Sequence, residues 1–219
     1  MGSADESRAI VEIGAAKLGL RALACEYQIL RQLYEHGPQS PKSLAGNNGS
    51  SPATFQKYLR NLCERQMIAW TSDPADQRRR LYSLSPGARQ VFDEQLREAY
   101  DPKNYEDESE PQTSGSHLMV RRLEGRLKTR IFTTEFQIVM WLYDESPRTT
   151  GQLLEMSDVS PGAFYKCLGR LHDLGLIHVT ADNGDRRRKC YCLSEKAHKV
   201  LVKTIAQWGD WTRRHTQGS

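Results

Sequence analysis

The chain has 219 residues, 38% hydrophobic and 26% charged, with a formal net charge of +4 and a mean hydropathy of -0.67. That composition fits one ordinary soluble domain or two small ones, and no run approaches the ~20 consecutive apolar residues a membrane span requires. Five cysteines, an odd count without framework spacing, argue against a disulfide-built secreted domain and for a reducing, cytoplasmic setting. The polar, partly acidic start Met1-Gly2-Ser3-Ala4-Asp5-Glu6 reads as lacking a secretory signal. The charge is uneven: residues 101–116 hold Asp101, Glu106, Asp107, Glu108 and Glu110 against Lys103 alone, about −4, so the remainder carries about +8. A basic surplus on the folded parts suits a polyanionic partner such as nucleic acid.

An internal repeat organises the chain. Placing Glu26-Tyr27-Gln28-Ile29-Leu30 over Glu135-Phe136-Gln137-Ile138-Val139 gives a gapless register that runs through to Ala88 over Ala197. Leu33/Leu142, Pro38/Pro147, Ser51/Ser160, Pro52/Pro161, Phe55/Phe164, Lys57/Lys166, Asp76/Asp185, Arg78/Arg187 and Tyr82/Tyr191 are among the matches. Roughly a third of the aligned span is identical, which reads as two homologous domains in tandem rather than a solenoid. The expected division is residues 1–100, an acidic linker over 101–116, and residues 117–219. Within the linker end, Gly115-Ser116-His117-Leu118-Met119 reads equally as natural sequence or as a cloning remnant.

Taken in chain order, each copy gives the same elements. A leading helix has Ile10, Ile13, Lys17, Leu20 and Leu23 or Ala24 on one line in copy one, and Leu123, Leu127 and Ile131 in copy two. A second helix over 27–35 (136–144) stops before Pro38 (Pro147). A short helix follows near 41–45 (150–156). The next helix is better marked: Ser51 and Ser160 supply N-cap oxygens, Pro52 and Pro161 fit the first turn, and Phe55, Leu59 and Leu62 (Phe164, Leu168, Leu171) form the buried stripe. Residues 68–71 and 81–84 read as strands around a polar turn, and a final helix follows over 87–100. In copy two the final helix is longer, with Ala197, Val200, Leu201, Ile205, Trp208 and Trp211 on one face. The order specifies a mainly α fold with small β-hairpin wings: two tandem winged helix-turn-helix domains, arranged as an intramolecular pseudo-dimer.

In such a motif the second helix of the pair enters the major groove. Opposite its buried stripe lie Ala53, Thr54, Gln56, Lys57 and Arg60 in copy one, and Gly162, Ala163, Tyr165, Lys166 and Arg170 in copy two. Small residues at the start admit close backbone approach, polar ones beyond read base edges, and the lysines reach phosphates, as do the open amides at Ser51 and Ser160. The two faces differ, Thr54/Gln56 against Ala163/Tyr165, which predicts unlike half-sites. The wing is the sharper signal. Asp73-Pro74-Ala75-Asp76-Gln77-Arg78-Arg79-Arg80 recurs as Asp182-Asn183-Gly184-Asp185-Arg186-Arg187-Arg188-Lys189. Cations crowded on a protruding turn repel one another unless a narrow minor groove receives them. Asp76 and Asp185 are placed to brace a neighbouring arginine.

The run from Ser51 to Ala88 resembles the MarR family of bacterial winged-helix regulators. Asp73-Pro-Ala-Asp76-Gln-Arg78 and Leu81-x-x-Leu84-Ser85-Pro86-Gly87 are similar to that family's wing and the turn after it; in copy two Glu195-Lys196 replaces the Pro-Gly. The resemblance covers both copies, and it implies Arg78 and Arg187 in the minor groove and homodimerisation through first and last helices. It also implies repression of transcription relieved by a small phenolic or carboxylate effector. Two departures stand out: one chain holds two winged helices, and copy one has only about 15 residues of helix after its wing. Hence the expectation of a monomer acting as its own pseudo-dimer on double-stranded DNA, with further homodimerisation left open. A protein-interaction scaffold of tandem winged helices without specific DNA binding is the alternative.

Catalysis and cofactors are not expected. The sequence holds no glycine-rich phosphate loop, nucleophile motif or repeated carboxylate pair. Cys190-x-Cys192 near His178 falls short of a zinc ligand set. Cys25, read as ending the leading helix, has no neighbour in sequence that would activate it, although one branch of the resembled family senses peroxide with a helix cysteine. Trp141, Tyr143, Trp208 and Trp211 read as core or interface residues, with an effector pocket as the bolder reading.

Overall fold

The computed structural model describes residues 3–46, 50–99, 113–181 and 189–216. Along them run α1 (Ser3–Lys17), α2 (Cys25–His36), α3 (Pro41–Gly46), α4 (Pro52–Glu64), β1 (Ile68–Asp73), β2 (Asp76–Leu84) and α5 (Pro86–Ala99). Then come α6 (Thr113–Leu127), α7 (Thr134–Asp144), β3 (Arg148–Thr149), α8 (Thr150–Ser157), α9 (Pro161–Asp173), β4 (Ile177–Ala181), β5 (Lys189–Leu193) and α10 (Glu195–Thr216). The protein is mainly helical with small antiparallel hairpins. None of the described helices is long and apolar enough to cross a membrane.

The chain divides into two compact units, one contiguous (Leu23–Ile131) and one split (Met1–Ala22 with Phe132–Ser219). This differs from the division expected at residues 101–116. Each leading helix joins the unit built on the other repeat: α1 packs on α10, and α6 packs on α5. The physical reason lies in the segments after these helices. Residues 18–24 leave α1 with Gly19 at φ +70°, and Lys128 after α6 takes the matching φ of +47°. The left-handed step ends each helix, and the chain then runs without regular helix into the remainder of its own repeat, α2 or α7. Helix α6 also begins at Thr113, so the last residues of the expected linker are helical; residues 100–112 lie outside those described.

In the contiguous unit, Ile29, Leu30 and Leu33 of α2, Leu44 of α3, and Phe55, Leu59 and Leu62 of α4 are fully covered or nearly so. Tyr82 and Leu84 of β2 and Ala88, Val91 and Phe92 of α5 are buried as well. Phe92 stacks on both Tyr27 and Tyr34 at ring-centroid distances of 5.9 and 5.0 Å. The Tyr34 hydroxyl donates to Asp93 Oδ1 at 2.7 Å, and burial, with that carboxylate second, pushes its pKa up. At the other end, Glu26 gathers partners: Arg65 donates to both its oxygens at 2.8 Å, Thr129 Oγ1 to one at 2.9 Å, and Asn61 at 3.4 Å. This carboxylate ties the start of α2 to the end of α4 and to the segment after α6.

In the split unit the core runs through Ala15, Leu18, Leu20 and Ala22, then Phe136, Ile138, Val139, Trp141 and Leu142 of α7, Phe164, Leu168 and Leu171 of α9, and Ala197 and Leu201 of α10. Helix α1 buries its small residues. A methyl group built on Gly14 would lie 2.6 Å from Thr204 Cγ2 and 3.0 Å from Thr204 Cβ. The expected stripe is corrected accordingly: Ile13 is 53% exposed, and Leu20 and Leu23 lie beyond the end of α1. Cys25 opens α2 rather than ending the leading helix. Trp208, expected on the covered face of α10, is 45% exposed: it continues the line of Ala197, Leu201 and Thr204 but stands one turn beyond Thr204, where that line is no longer covered. Trp141 is a core residue, 4% exposed.

The sheets are larger than expected. In the contiguous unit β1 and β2 pair antiparallel from Ile68↔Leu84 to Ser72↔Arg80, with a register shift before Asp73↔Asp76. Only Pro74 and Ala75 are left for the turn, so the wing arginines stand on the strand itself. In the split unit Arg148 and Thr149 add a third strand to β5, giving the order β3-β5-β4. Gln39, which aligns with Arg148, makes only an isolated bridge to Tyr82.

Candidate nucleic-acid interface

Helix α4 begins where Ser51 Oγ accepts the Thr54 amide at 3.3 Å, and α9 where Ser160 Oγ accepts the Ala163 amide at 3.4 Å. Each proline then occupies a first-turn position with no amide hydrogen to satisfy. Phe55, Leu59 and Leu62 point one face of α4 into the core, which leaves Ala53, Thr54, Gln56, Lys57 and Arg60 exposed. In α9 the same stripe leaves Gly162, Ala163, Tyr165, Lys166 and Arg170 exposed. Arg60 and Arg170 are not equivalent, however. By the repeat register Arg60 aligns with Gly169, and Arg170 aligns with Asn61. Arg170 reaches back to Glu135 at 3.6 Å, as Asn61 does to Glu26. Asn61 therefore links α4 to α2, and Arg170 links α9 to α7, each on the flank of the outward face.

Helix α4 packs against β1, which brings the hairpin alongside. The Asp73 carboxylate accepts the Ala75 amide at 2.9 Å and closes the turn. Asp76 uses both oxygens: Oδ1 accepts the Arg78 amide at 3.1 Å, and Oδ2 pairs with Arg79 Nε at 3.1 Å. Arg80 lays its guanidinium over the Trp70 ring, 4.2 Å from the centroid. The three exposed arginines thus divide their tasks. Arg79 is held by Asp76 and Arg80 by Trp70, while among the described residues the Arg78 guanidinium has no ion-pair or ring partner. Trp70, 47% exposed, was missed by the sequence reading, because its alternation with Ile68 reads as an inward strand position. The matching wing of the split unit falls outside the described residues; Asp185, Arg186, Arg187 and Arg188 all lie within 182–188.

Residues 24–79 match the family model described as "MarR family". The MarR match runs from the residue before α2 to Arg79, part-way along β2. Among curated proteins nothing matches. Solved structures similar to this chain include a probable transcriptional regulator from Pseudomonas aeruginosa, 28% identical with a TM-score of 0.32, covering 55% of this chain and 92% of that one. The transcriptional regulator Tm0710 from Thermotoga maritima is 21% identical with a TM-score of 0.36, covering 55% and 90%. BpsR of Bordetella bronchiseptica, described with regulation of its DNA binding by 6-hydroxynicotinic acid, is 19% identical with a TM-score of 0.32, covering 53% and 89%.

The cysteines offer little chemistry. Burial pushes the Cys63 thiol up, against the nearby Arg80, so its thiolate is disfavoured. Cys25 Sγ lies 3.4 Å from Ser50 Oγ. Cys190 is buried and Cys192 stands opposite His178 in the sheet, with Thr180 Oγ1 3.7 Å from its sulfur. Among the described residues no group of three or more His, Cys, Asp or Glu side chains is arranged to hold a metal ion.

Proposed function

We propose that the chain is a sequence-specific, double-stranded-DNA-binding transcriptional regulator, a repressor released by a small phenolic or carboxylate effector. Its two winged helices act together as an intramolecular pseudo-dimer. The observation that carries the reading is the pairing, in one unit, of an outward polar face on α4 with an adjoining hairpin whose exposed Arg78 guanidinium has no ion-pair or ring partner among the described residues. A guanidinium on a strand whose neighbours are engaged by Asp76 and Trp70 is the one left available for a phosphate or a narrow minor groove. Lys57 and Lys166 supply phosphate contacts that set register, while Gln56 and Tyr165 stand where base edges are read. The MarR match over residues 24–79 supports the same reading. The pseudo-dimer is supported by the exchange of leading helices between repeats, since α1 completes a unit that begins again only at Phe132.

The test is a salt titration of DNA binding by the full chain and by the double variant Arg78→Ala with Arg187→Ala. Two lost phosphate contacts lower the slope of log affinity against log salt by about two and weaken binding strongly. An unchanged slope and affinity refutes the wing assignment. The sedimented complex should contain one 25.0 kDa chain per site; two chains per site refutes the pseudo-dimer.

A further inference from the structure

Helices α4 and α9 present different chemistry at equivalent positions. Gln56 aligns with Tyr165, Thr54 with Ala163, Ala53 with Gly162, and Arg60 with Gly169. On α9 the exposed turn presents small apolar groups and an aromatic ring ahead of Lys166: Tyr165 is 55% exposed, Ala163 and Gly162 are exposed, and a methyl group on Gly162 would meet nothing within 4 Å. The core does not require the tyrosine there, because Phe164 beside it is fully buried. Instead the Tyr165 ring stands edge-on to Phe164, centroids 5.6 Å apart at 67°, which fixes its outward direction. On α4 the corresponding turn is polar. The Thr54 hydroxyl is 2.9 Å from Ser51 Oγ and so serves the helix cap, leaving the Gln56 amide as the outward hydrogen-bonding group.

We propose that the split unit recognises its half-site through the 5-methyl group of a thymine packed against Tyr165 and Ala163, whereas the contiguous unit recognises an adenine through the Gln56 amide, so that the bound site is composite rather than palindromic. This rests on the reading of both helices as DNA readers. Apolar side chains discriminate thymine by its methyl group, the one apolar feature on the major-groove edge, and a glutamine amide matches the paired acceptor and donor of adenine N7 and N6. Loss of the basic side chain at Gly169, where Arg60 stands in the other unit, makes the α9 half-site still more dependent on that contact.

The experiment is selection by the full chain from a pool of random duplexes, followed by atomic substitution in the selected site. The expected result is a site with unlike halves. Replacing thymine by uracil in one half weakens binding about fourfold, the worth of one methyl group withdrawn from water. The other half is insensitive to uracil and is weakened when 7-deazaadenine removes the N7 acceptor. Tyr165→Gln removes the uracil effect without changing the salt slope. Gln56→Tyr, in the other unit, confers a uracil effect on the second half and tests the same claim without touching α9. A palindromic site whose halves respond alike to uracil overturns this inference and leaves DNA reading intact. Enrichment of no sequence at all overturns DNA reading, and this inference with it.

Discussion

Replacing Gly14 by alanine tests how closely α1 lies on α10. In an unencumbered helix interior this change stabilises by about 1 kcal/mol, because alanine loses less backbone entropy. Here the added methyl would stand 2.6 Å from Thr204 Cγ2 and closer still to Oγ1. Thr204 cannot rotate away freely: it is buried, β-branched, and its hydroxyl donates to the Val200 carbonyl at 2.8 Å. Overpacking of this kind costs about 1–3 kcal/mol. The net expectation is destabilisation by about 1 kcal/mol, lowering the urea midpoint by roughly 0.5 M for a slope near 2 kcal/mol/M. Urea unfolding followed through the far-ultraviolet circular dichroism of the helices, which reports both units, measures it. Gly125→Ala on α6 is the control, since a methyl there meets nothing within 4 Å; its midpoint should rise. Thr204→Ala added to Gly14→Ala should recover part of the loss. If Gly14→Ala raises the midpoint as Gly125→Ala does, the close approach of the two helices is refuted.

Two further outcomes follow from the geometry. Glu26→Gln should destabilise the contiguous unit by about 1–3 kcal/mol, because Arg65 and Thr129 lose a shared carboxylate partner that is only 15% exposed; a urea midpoint unchanged in that unit would refute the clamp. Ser51→Ala should cost about 1 kcal/mol through loss of the α4 cap, and Ser160→Ala the same for α9. Amide hydrogen exchange at Thr54 and Ala163 reads this directly, with unaltered protection as the refuting result.

The capped helices were the most legible part of the sequence. Ser-Pro starts and the i, i+4, i+7 stripe from Phe55 to Leu62 are local signals that tertiary packing reinforces, and α4 and α9 lie where that pattern places them. The leading helix was less legible because its contact is made by small residues. A stripe search favours Ile13, yet Gly14 and Ala15 are what a close helix pair requires. Which unit a leading helix joins is a long-range choice, and nothing within residues 3–17 encodes it. On the outward face, the part played by Arg170 was available in the repeat itself. Glu26 and Glu135 align, and the residue opposite each, Asn61 or Arg170, is the one that reaches it. The Trp70–Arg80 stack was hidden because period-2 alternation reports which side of a strand a residue takes, and not whether the core extends that far.

The division of the chain has a consequence for its synthesis. The unit of residues 23–131 is contiguous in sequence, whereas α1 belongs with elements that begin only at Phe132. In synthesis the partner of α1 emerges last, and contacts across so large a sequence separation are slow to form. The contacts of α1 with α10 therefore close a far longer stretch of chain than those of α6 with α5.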